Sequence, residues 1–417
     1  MKKFLMTLMA GILLLVLTGC DYDLDLASHP NRAYIEDFEY MLEILMDNFP
    51  YFGVAEREFG AQVERIAETT RRALITGGDV RDSAHFRQIL QANFFSPFRH
   101  IGHLSIQDRA TLHLILGNIY RGPINYNGQF VDMQGRVYTY WGQKFVDVAR
   151  GQAAQQFYGL IEVALGYEVG MVRPNNLTTL ILAENVAYVR VNEFWHYNIE
   201  HDKAIMRAFY EEIQGMEHLV IDLRANGGGF TRYFVQLFMA PNLAYDTYIP
   251  GIHTLLMGGE RNMAWLDVQI DDDRVFAGVY TDKQPLPAYR FPYLRDADIF
   301  DYLITRPVRI EATGEMLFDG KIWILVDERT ASAAEYAAMY AMLANFATVV
   351  GSPTRGVTGG GLAAFVPLPN TGLVIRYDFG FFIDSYGRAI DEYGAQPNYL
   401  NLPNMDALQT VMYLINR

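Results

Sequence analysis

The stretch Asp327-Glu-Arg-Thr-Ala-Ser-Ala-Ala-Glu335 decides the fold of the chain around it. The apolar run Ile322-Trp-Ile-Leu-Val326 comes directly before it and predicts a buried strand. After it, large side chains recur from Tyr336 to Leu343 at the spacing of a helix. Ser332 is therefore expected where a strand gives way to a helix, near free backbone N–H groups and the positive end of the helix dipole.

Two interpretations of Ser332 are open from this stretch alone. A hydroxyl at such a turn could act as a nucleophile, with the free N–H groups stabilising the oxyanion that it creates. Ser332 and Glu335 also have the Ser-x-x-Glu spacing of a capping box, which is the commoner use of serine at a helix start. The rest of the chain has to decide between the two.

Composition places the protein among globular proteins and argues against one large class of partner. The chain has 417 residues, of which 51% are hydrophobic, so two or three structural units with a sizeable core are expected. Its 48 acidic residues outnumber 34 basic ones, giving a formal charge of −14. An acidic surface without a basic stripe repels phosphate backbones, so nucleic acid is not expected as a partner.

The N-terminus reads as a targeting signal. Lys2 and Lys3 precede an apolar run from Phe4 to Leu17, which is too short for an ordinary membrane span. The next residues, Leu17-Thr-Gly-Cys20, resemble the lipobox of bacterial lipoproteins, which implies cleavage before Cys20 and its lipidation. Cys20 is the only cysteine, which fits an anchor and excludes an intramolecular disulfide. We expect an extracytoplasmic protein of the cell envelope, lipid-anchored to a bacterial membrane; a plain secretory signal or short membrane anchor is the alternative.

The remaining chain divides by its patterning. Ile35, Phe38, Leu42, Leu45 and Phe49 recur at helical spacing and begin a helical segment that continues to about Phe95. From Thr178 onward short strands alternate with helices, which predicts an α/β core. The predicted organisation is as follows: a signal peptide at 1–19, a tether at 20–32, a helical N-terminal domain at 33–110, an intermediate or insert region at 111–175, an α/β core at 176–405 with an insertion at about 244–316, and a C-terminal tail at 406–417.

Three further segments could contribute to a site with Ser332. Leu219-Val-Ile-Asp-Leu-Arg-Ala-Asn-Gly-Gly-Gly229 is a strand that runs into a glycine turn, where the backbone can approach a ligand closely. Arg99-His-Ile-Gly-His-Leu-Ser105 offers histidines as a general base. Asp391-Glu-Tyr-Gly394 offers a carboxylate that could orient a histidine. Taken singly, each is equally compatible with an ordinary turn or a surface residue.

Taken together, these segments resemble the tail-specific, or C-terminal processing, serine peptidases and their tricorn-core relatives. The resemblance rests on Ile221-Asp-Leu-Arg-Ala-Asn-Gly-Gly-Gly229, on Thr330-Ala-Ser-Ala-Ala-Glu335 and on the turn Gly351-Ser-Pro-Thr-Arg-Gly356. It covers roughly residues 176–400 and extends more weakly to Gly102-His103. It implies a crotonase-like α/β catalytic core.

The resemblance also implies roles for individual residues. Ser332 takes the position of the nucleophile, and His103 that of the general base in the branch that works without a lysine. Asp391 fits the acid that orients the histidine, with Glu392 as the alternative. The N–H of Ala333 and the Gly228–Gly229 turn are the implied oxyanion donors.

The chain departs from the family pattern at identifiable places. Val357 stands where the bacterial branch with a Ser-Lys dyad has its lysine, and Ile101 and Asn398 replace aspartates of two family motifs. No PDZ-type glycine loop is recognisable between residues 111 and 175.

The sequence therefore predicts an exported serine peptidase that acts on a protein or peptide through an acyl-enzyme on Ser332. No metal or other cofactor is expected. The alternative is a catalytically inactive lipoprotein on the same fold that binds a peptide or another ligand.

Overall fold

A computed structural model gives the fold of most of the chain. It describes residues 26, 28–99, 101–107, 129–131, 137–139, 172–259, 261–263, 266, 284–285, 291–357, 363–384 and 386–417. The helices are α1 (Arg32–Asn48), α2 (Phe52–Phe59), α3 (Val63–Thr76), α4 (Ser83–Leu90), α5 (Ile199–Glu212), α6 (Thr231–Phe234), α7 (Ala333–Leu343), α8 (Ile390–Tyr393) and α9 (Ala407–Ile415).

The strands form two larger sheets and two smaller ones. They are β1 (Ser105–Ile106), β2 (Gln129–Val131), β3 (Val137–Thr139), β4 (Leu177–Ala183), β5 (Val186–Val191), β6 (His218–Asp222), β7 (Thr247–Leu256), β8 (Gln284–Pro285), β9 (Tyr302–Ile310), β10 (Lys321–Val326), β11 (Thr348–Gly351), β12 (Ala363–Pro367), β13 (Val374–Asp378), β14 (Gly380–Ile383) and β15 (Tyr399–Leu400).

The central sheet has the order β15-β11-β10-β6-β5-β4. Its pairs from β15 to β5 are parallel, and β4 joins β5 antiparallel. Ile322, Ile324 and Val326 point to one face, where they pack with α5, α6 and α7, whereas Trp323 and Leu325 face α9. This two-layered covering explains why the strand reads as a continuous apolar run. The predicted α/β fold class is confirmed.

The helical segment packs on antiparallel strands from the other end of the chain. Helices α1 to α4 share one hydrophobic cluster with β12, β13, β14 and residues near 300. Ile35, Phe38, Leu45 and Phe49 of the predicted apolar face are buried, and Leu42 is partly buried. Two sheets, β1-β13-β12 and β14-β7-β9-β8, lie against this cluster.

The segment interpreted as an insertion contains regular structure. Strands β7 and β9 pair antiparallel over most of their length, and β14 adds to the other edge of β7. Their sequences lack a clean period-two alternation, which is why the pattern did not predict strands there. Most of residues 111–175, where a PDZ-type loop was sought, lie outside the described residues.

Candidate active site

Ser332 lies in a strained turn between β10 and α7. Its backbone has φ 54° and ψ −123°, immediately before the first helical residue, Ala333. An ordinary helix N-cap has negative φ in the extended region, so a cap does not require this conformation. A non-glycine residue held there costs about 1–3 kcal/mol, and such strain clusters at functional sites. A sharp strand-to-helix turn of this kind presents a nucleophile above a sheet.

Glu335 holds Ser332 in this conformation. Its buried carboxylate accepts hydrogen bonds from the N–H groups of Ser332 (2.9 Å), Gly356 (2.6 Å) and Val357 (2.8 Å), and from the Thr354 hydroxyl. Burial raises the pKa of Glu335, and these four hydrogen bonds act in the opposite direction. One carboxylate thereby fixes both the serine turn and the turn that follows β11.

Ser332 and Glu335 form a capping box at the start of α7, as their spacing in the sequence allows. The carboxylate half is the bond from the Ser332 N–H to Glu335. In the other half, the Glu335 N–H faces the Ser332 side chain, and it also donates to the Ser332 carbonyl oxygen at 2.9 Å. The box alone does not explain the positive φ of Ser332, because an ordinary N-cap residue has negative φ.

The glycine turn after β6 lies directly against Ser332. Gly228 has φ 98°, and a Cβ at that position would stand 2.8 Å from the Ser332 Cβ and 2.7 Å from the Ala331 carbonyl oxygen. Gly229 has φ 126°, and its Cβ would stand 2.3 Å from the Phe194 carbonyl oxygen. Only glycine permits this approach, so the predicted meeting of serine and glycine turn takes place.

Two of the three predicted oxyanion donors keep a free N–H. The Gly228 N–H donates to Asn226 Oδ1 at 2.8 Å, so in this structure the Asn226 side chain engages the third predicted donor. No described residue accepts from the N–H groups of Gly229 or Ala333. Ala333 is the first residue of α7, where the N–H groups have no helical partner and the dipole favours negative charge.

His103 lies in a second strained turn. Gly102 and His103 have φ 53° and 49°, and the Ser105 hydroxyl donates to the His103 carbonyl oxygen at 2.8 Å. The imidazole is 20% exposed, and its Nδ1 lies 2.5 Å from Oδ2 of the fully buried Asp378. A carboxylate on Nδ1 favours the tautomer with a proton there, leaving Nε2 as the ring nitrogen that can accept a proton.

Asp378 therefore replaces Asp391 and Glu392 as the acid on the histidine, and this corrects the expectation from the sequence. Asp391 Oδ1 accepts from the Gly102 N–H at 3.4 Å, next to the histidine. Glu392 forms ion pairs with Arg57 (2.9 Å) and Arg295 (3.2 Å).

The sequence carried one usable signal for Asp378. It directly follows the strand-like run from Leu373 to Tyr377, and a carboxylate at a strand end is a frequent position for a site residue.

The serine and histidine turns rest on the same short segment, residues 390–395. A Cβ on Gly356 would stand 2.8 Å from the Ile390 carbonyl oxygen and 3.0 Å from that of Asp391. Gly356 in turn donates to Glu335, which holds Ser332, while the Asp391 carboxylate holds Gly102 beside His103. The two halves of the site are thus joined by a short series of contacts through α8.

No lysine in the described part of the chain belongs to this site. Lys203 pairs with Glu200 at 3.0 Å, and Lys321 lies 4.0 Å from the Trp323 ring at the amino end of β10. Val357, at the position of the dyad lysine, uses its N–H to bind Glu335. Among the described residues, His103 is therefore the candidate base.

A groove opens beside the glycine turn. It has a volume of about 540 Å³ and is lined by residues 172–176, 192–193 and 227–229. A cavity of about 660 Å³ lies at the amino ends of β10 and β11, the opposite end of the sheet from Ser332. Ligands of parallel α/β sheets bind at the carboxyl ends of the strands, so the groove is the candidate substrate entrance.

The described ranges contain neither a clustered metal site nor a membrane-spanning helix. Within them, no group of three or more His, Cys, Asp and Glu side chains converges as a metal site. None of the helices described combines the length and hydropathy needed to cross a membrane. Cys20, the predicted lipidation site, lies outside the described residues.

Comparison with known proteins identifies the class. The model of peptidase family S41 matches residues 185–400, just over half of the chain, and the chain belongs to this family. The match includes the glycine turn, the Ser332 segment, Asp378 and Asp391, whereas the His103 segment precedes it. Membership supports a serine peptidase. No curated protein matches the chain.

Solved structures agree on the fold. A Parabacteroides merdae protein assigned to the peptidases is 15% identical with a TM-score of 0.51, covering 93% of this chain and 96% of its own. Mature CPAF complexed with lactacystin is 13% identical with a TM-score of 0.51, covering 93% and 98%. At these identities the likeness concerns the fold alone.

Proposed function

We propose that this protein hydrolyses peptide bonds through an acyl-enzyme on Ser332. The observation that carries the proposal is the strained backbone of Ser332 at the start of α7, with the glycine turn pressed against its Cβ. A purely structural serine would not require either feature. Family membership supplies the reaction class, and the residues named below supply its steps.

His103 and Asp378 would act on the proton of the serine. Nε2 of His103 takes the proton from the Ser332 hydroxyl as the oxygen attacks the carbonyl carbon of the substrate, and later gives it to the leaving amine. Asp378, hydrogen-bonded to Nδ1, holds the ring orientation and stabilises the imidazolium that forms. A water molecule activated by the same nitrogen then hydrolyses the ester.

Backbone donors would stabilise the oxyanion. The N–H groups of Ala333 and Gly229 flank Ser332 and have no acceptor among the described residues. Each donor contributes roughly 3–4 kcal/mol of transition-state stabilisation if it behaves like measured oxyanion donors.

Turnover and labelling test the proposal together. Quenched-fluorescent peptides and a fluorophosphonate probe are offered to the wild type, to Ser332→Ala and to Ser332→Gly. We expect cleavage and labelling by the wild type alone. A folded wild type that neither cleaves nor reacts, or a Ser332→Ala variant that labels equally, would remove the peptidase assignment and favour the ligand-binding alternative.

The substrate proposed is a protein or peptide. The proposal takes peptide-bond hydrolysis from the resemblance to tail-specific peptidases, and leaves their recognition of a chain end to experiment. Matched peptides with a free or an amidated C-terminus test capture of a chain end. A preference for the free acid above about tenfold, worth 1.4 kcal/mol, would add recognition of the C-terminal carboxylate.

We also propose export and lipid anchoring through Cys20. The support is the Lys2-Lys3 start, the apolar run from Phe4 to Leu17 and the Leu-Thr-Gly-Cys20 sequence. Metabolic labelling with an alkynyl fatty acid should mark the wild type and leave Cys20→Ser unmarked. An unmarked wild type would favour a plain secretory signal or a membrane anchor.

A further inference from the structure

A charged side chain lies behind the acid of the proposed triad. Asp378 is fully buried, and its Oδ1, the oxygen not used by His103, has no hydrogen-bond donor among the described residues. The cation beside it is Arg376, whose Nη2 lies 3.6 Å from that oxygen. The Arg376 side chain is only 13% exposed, and its Nε is buried without an acceptor in the described structure.

The two residues occupy one face of strand β13. They are two positions apart, and strand side chains at i and i+2 point the same way. Arg376 is paired in register with Ser105 of β1 on one side and with Phe365 of β12 on the other. Ser105 in turn holds the His103 carbonyl. The strand pairing that positions the histidine turn therefore also fixes Arg376.

We propose that Arg376 is a positioning residue of the active site, whose charge compensates the buried Asp378 carboxylate and keeps it aimed at His103. The inference rests on the proposed function. At 3.6 Å the pair interacts through charge and not through a hydrogen bond. A buried carboxylate with one unbonded oxygen is costly unless a cation compensates it, and Arg376 supplies that cation.

The other groups around Asp378 give the sign of the effect. The histidine turn contributes His103, which is hydrogen-bonded to Asp378. The N-terminal helical segment contributes Tyr51, whose hydroxyl donates to the Gly380 carbonyl oxygen at 2.7 Å. Burial raises the pKa of Tyr51 well above its usual value, and the charges of Asp391 and Asp378 add to this, so Tyr51 is neutral. Arg376 is then the permanent cation that the described structure pairs with the Asp378 carboxylate, which in turn binds the imidazole. Without it, the cluster is more negative and binds protons more readily.

The test replaces Arg376 and follows the titration of His103. Arg376→Met keeps the length of the side chain and removes the charge, whereas Arg376→Lys keeps the charge. Arg388→Met is the matched control. Arg388 also pairs with an aspartate, but its partner is Asp384, at 2.7 Å, and not Asp378. The readouts are the imidazole proton shifts of His103 across pH, and the pH profile of kcat/KM with quenched-fluorescent peptides.

We expect the His103 midpoint and the acid limb of kcat/KM to rise by about 0.5–1 pH unit in Arg376→Met, as for one charge lost a few ångströms away. We also expect kcat to fall about tenfold with KM nearly unchanged, since the base and not the substrate site is disturbed. In Arg376→Lys the His103 midpoint should stay close to that of the wild type, because the charge is kept. Arg388→Met should change neither the midpoint nor the pH profile of kcat/KM.

An unchanged midpoint in a folded Arg376→Met protein would overturn the proposal. Should that variant fail to fold, Arg376→Gln gives the same decision, because it also removes the charge and keeps a donor near Oδ1. The imidazole titration needs no turnover. A wild type without peptidase activity would therefore overturn the proposed function, while the shift of the midpoint would still decide the place of Arg376.

Discussion

The two halves of the candidate site are built in different ways. The Ser332 half is local: fourteen consecutive residues, 322–335, carry the strand, the strained turn and the helix start, and the glycine turn comes from the neighbouring parallel strand. The His103 half is assembled from residues 101–103, 376–378 and 391, and Ile101 and Tyr377 of these segments belong to a separate hydrophobic cluster with the N-terminal helices. The sequence of one continuous stretch determines the geometry of the Ser332 half, whereas the geometry of the His103 half depends on how distant segments pack.

Substitutions at Ser332 should have the largest effect. Ser332→Ala and Ser332→Gly should each lower kcat by about 10⁴–10⁶-fold, as for loss of a nucleophile that acts with its base. Because glycine relieves the positive φ, Ser332→Gly should be more stable than Ser332→Ala by about 1 kcal/mol in urea unfolding. An alanine variant at least as stable as the glycine variant would argue against strain at this turn.

The next largest effect should distinguish the two carboxylates in contact with the Gly102–His103 turn, Asp378 and Asp391. Asp378→Asn should lower kcat by about 10³–10⁴-fold, since the imidazole loses the group that sets its tautomer and stabilises its cation. Asp391→Asn is the matched comparison and should lower kcat by less than about tenfold, because its contact is with the Gly102 backbone. Steady-state kinetics of both variants decide the assignment, and a larger loss in Asp391→Asn would return that role to Asp391.

A methyl group tests the contact between the glycine turn and Ser332. Gly228→Ala places its Cβ against Ser332 and Ala331 at positive φ and should destabilise the protein by about 2–3 kcal/mol, with kcat lowered about a hundredfold. Gly227→Ala meets no atom within 4 Å and is the control, with an expected change within about 0.5 kcal/mol. Equal effects of the two substitutions in thermal unfolding would contradict the close approach.

The smallest effect should come from the ion pair that ties α8 to the N-terminal helices. Glu392 is 4% exposed and pairs with Arg57, so Glu392→Gln should cost about 1–3 kcal/mol in urea unfolding while kcat changes less than about threefold. Glu36→Gln breaks the exposed pair with Arg32 and should change stability by less than about 0.5 kcal/mol. A drop in kcat comparable with that of Asp378→Asn would mean that Glu392 acts in catalysis after all.

The contrast between the halves explains what could be predicted from the sequence. The strand at Ile322–Val326, the strand that begins at Leu219 and the helix that follows Ser332 lie within a few residues of their predicted places, because local periodicity determines them. The meeting of Ser332 with Gly228 follows from two parallel strands that end at the same edge of one sheet. These features need only neighbouring parts of the chain.

The acid could not be predicted in the same way. Asp378 reaches His103 because β13 pairs with β1 across more than 270 residues of sequence, and no local pattern encodes that pairing. Likewise, the engagement of the Gly228 N–H by Asn226 depends on a side-chain conformation. The domain boundaries, the place of residues 111–175 and the lipid anchor on Cys20 stay predictions.

The most direct test of the central claim is a crystal structure of the protein after reaction with a fluorophosphonate. We predict a covalent adduct on Ser332, with the phosphonyl oxygen about 3 Å from the N–H groups of Ala333 and Gly229 and with His103 Nε2 within hydrogen-bonding reach of Ser332 Oγ. An adduct on another residue, or an imidazole more than about 6 Å from that oxygen in the adduct, would contradict the account.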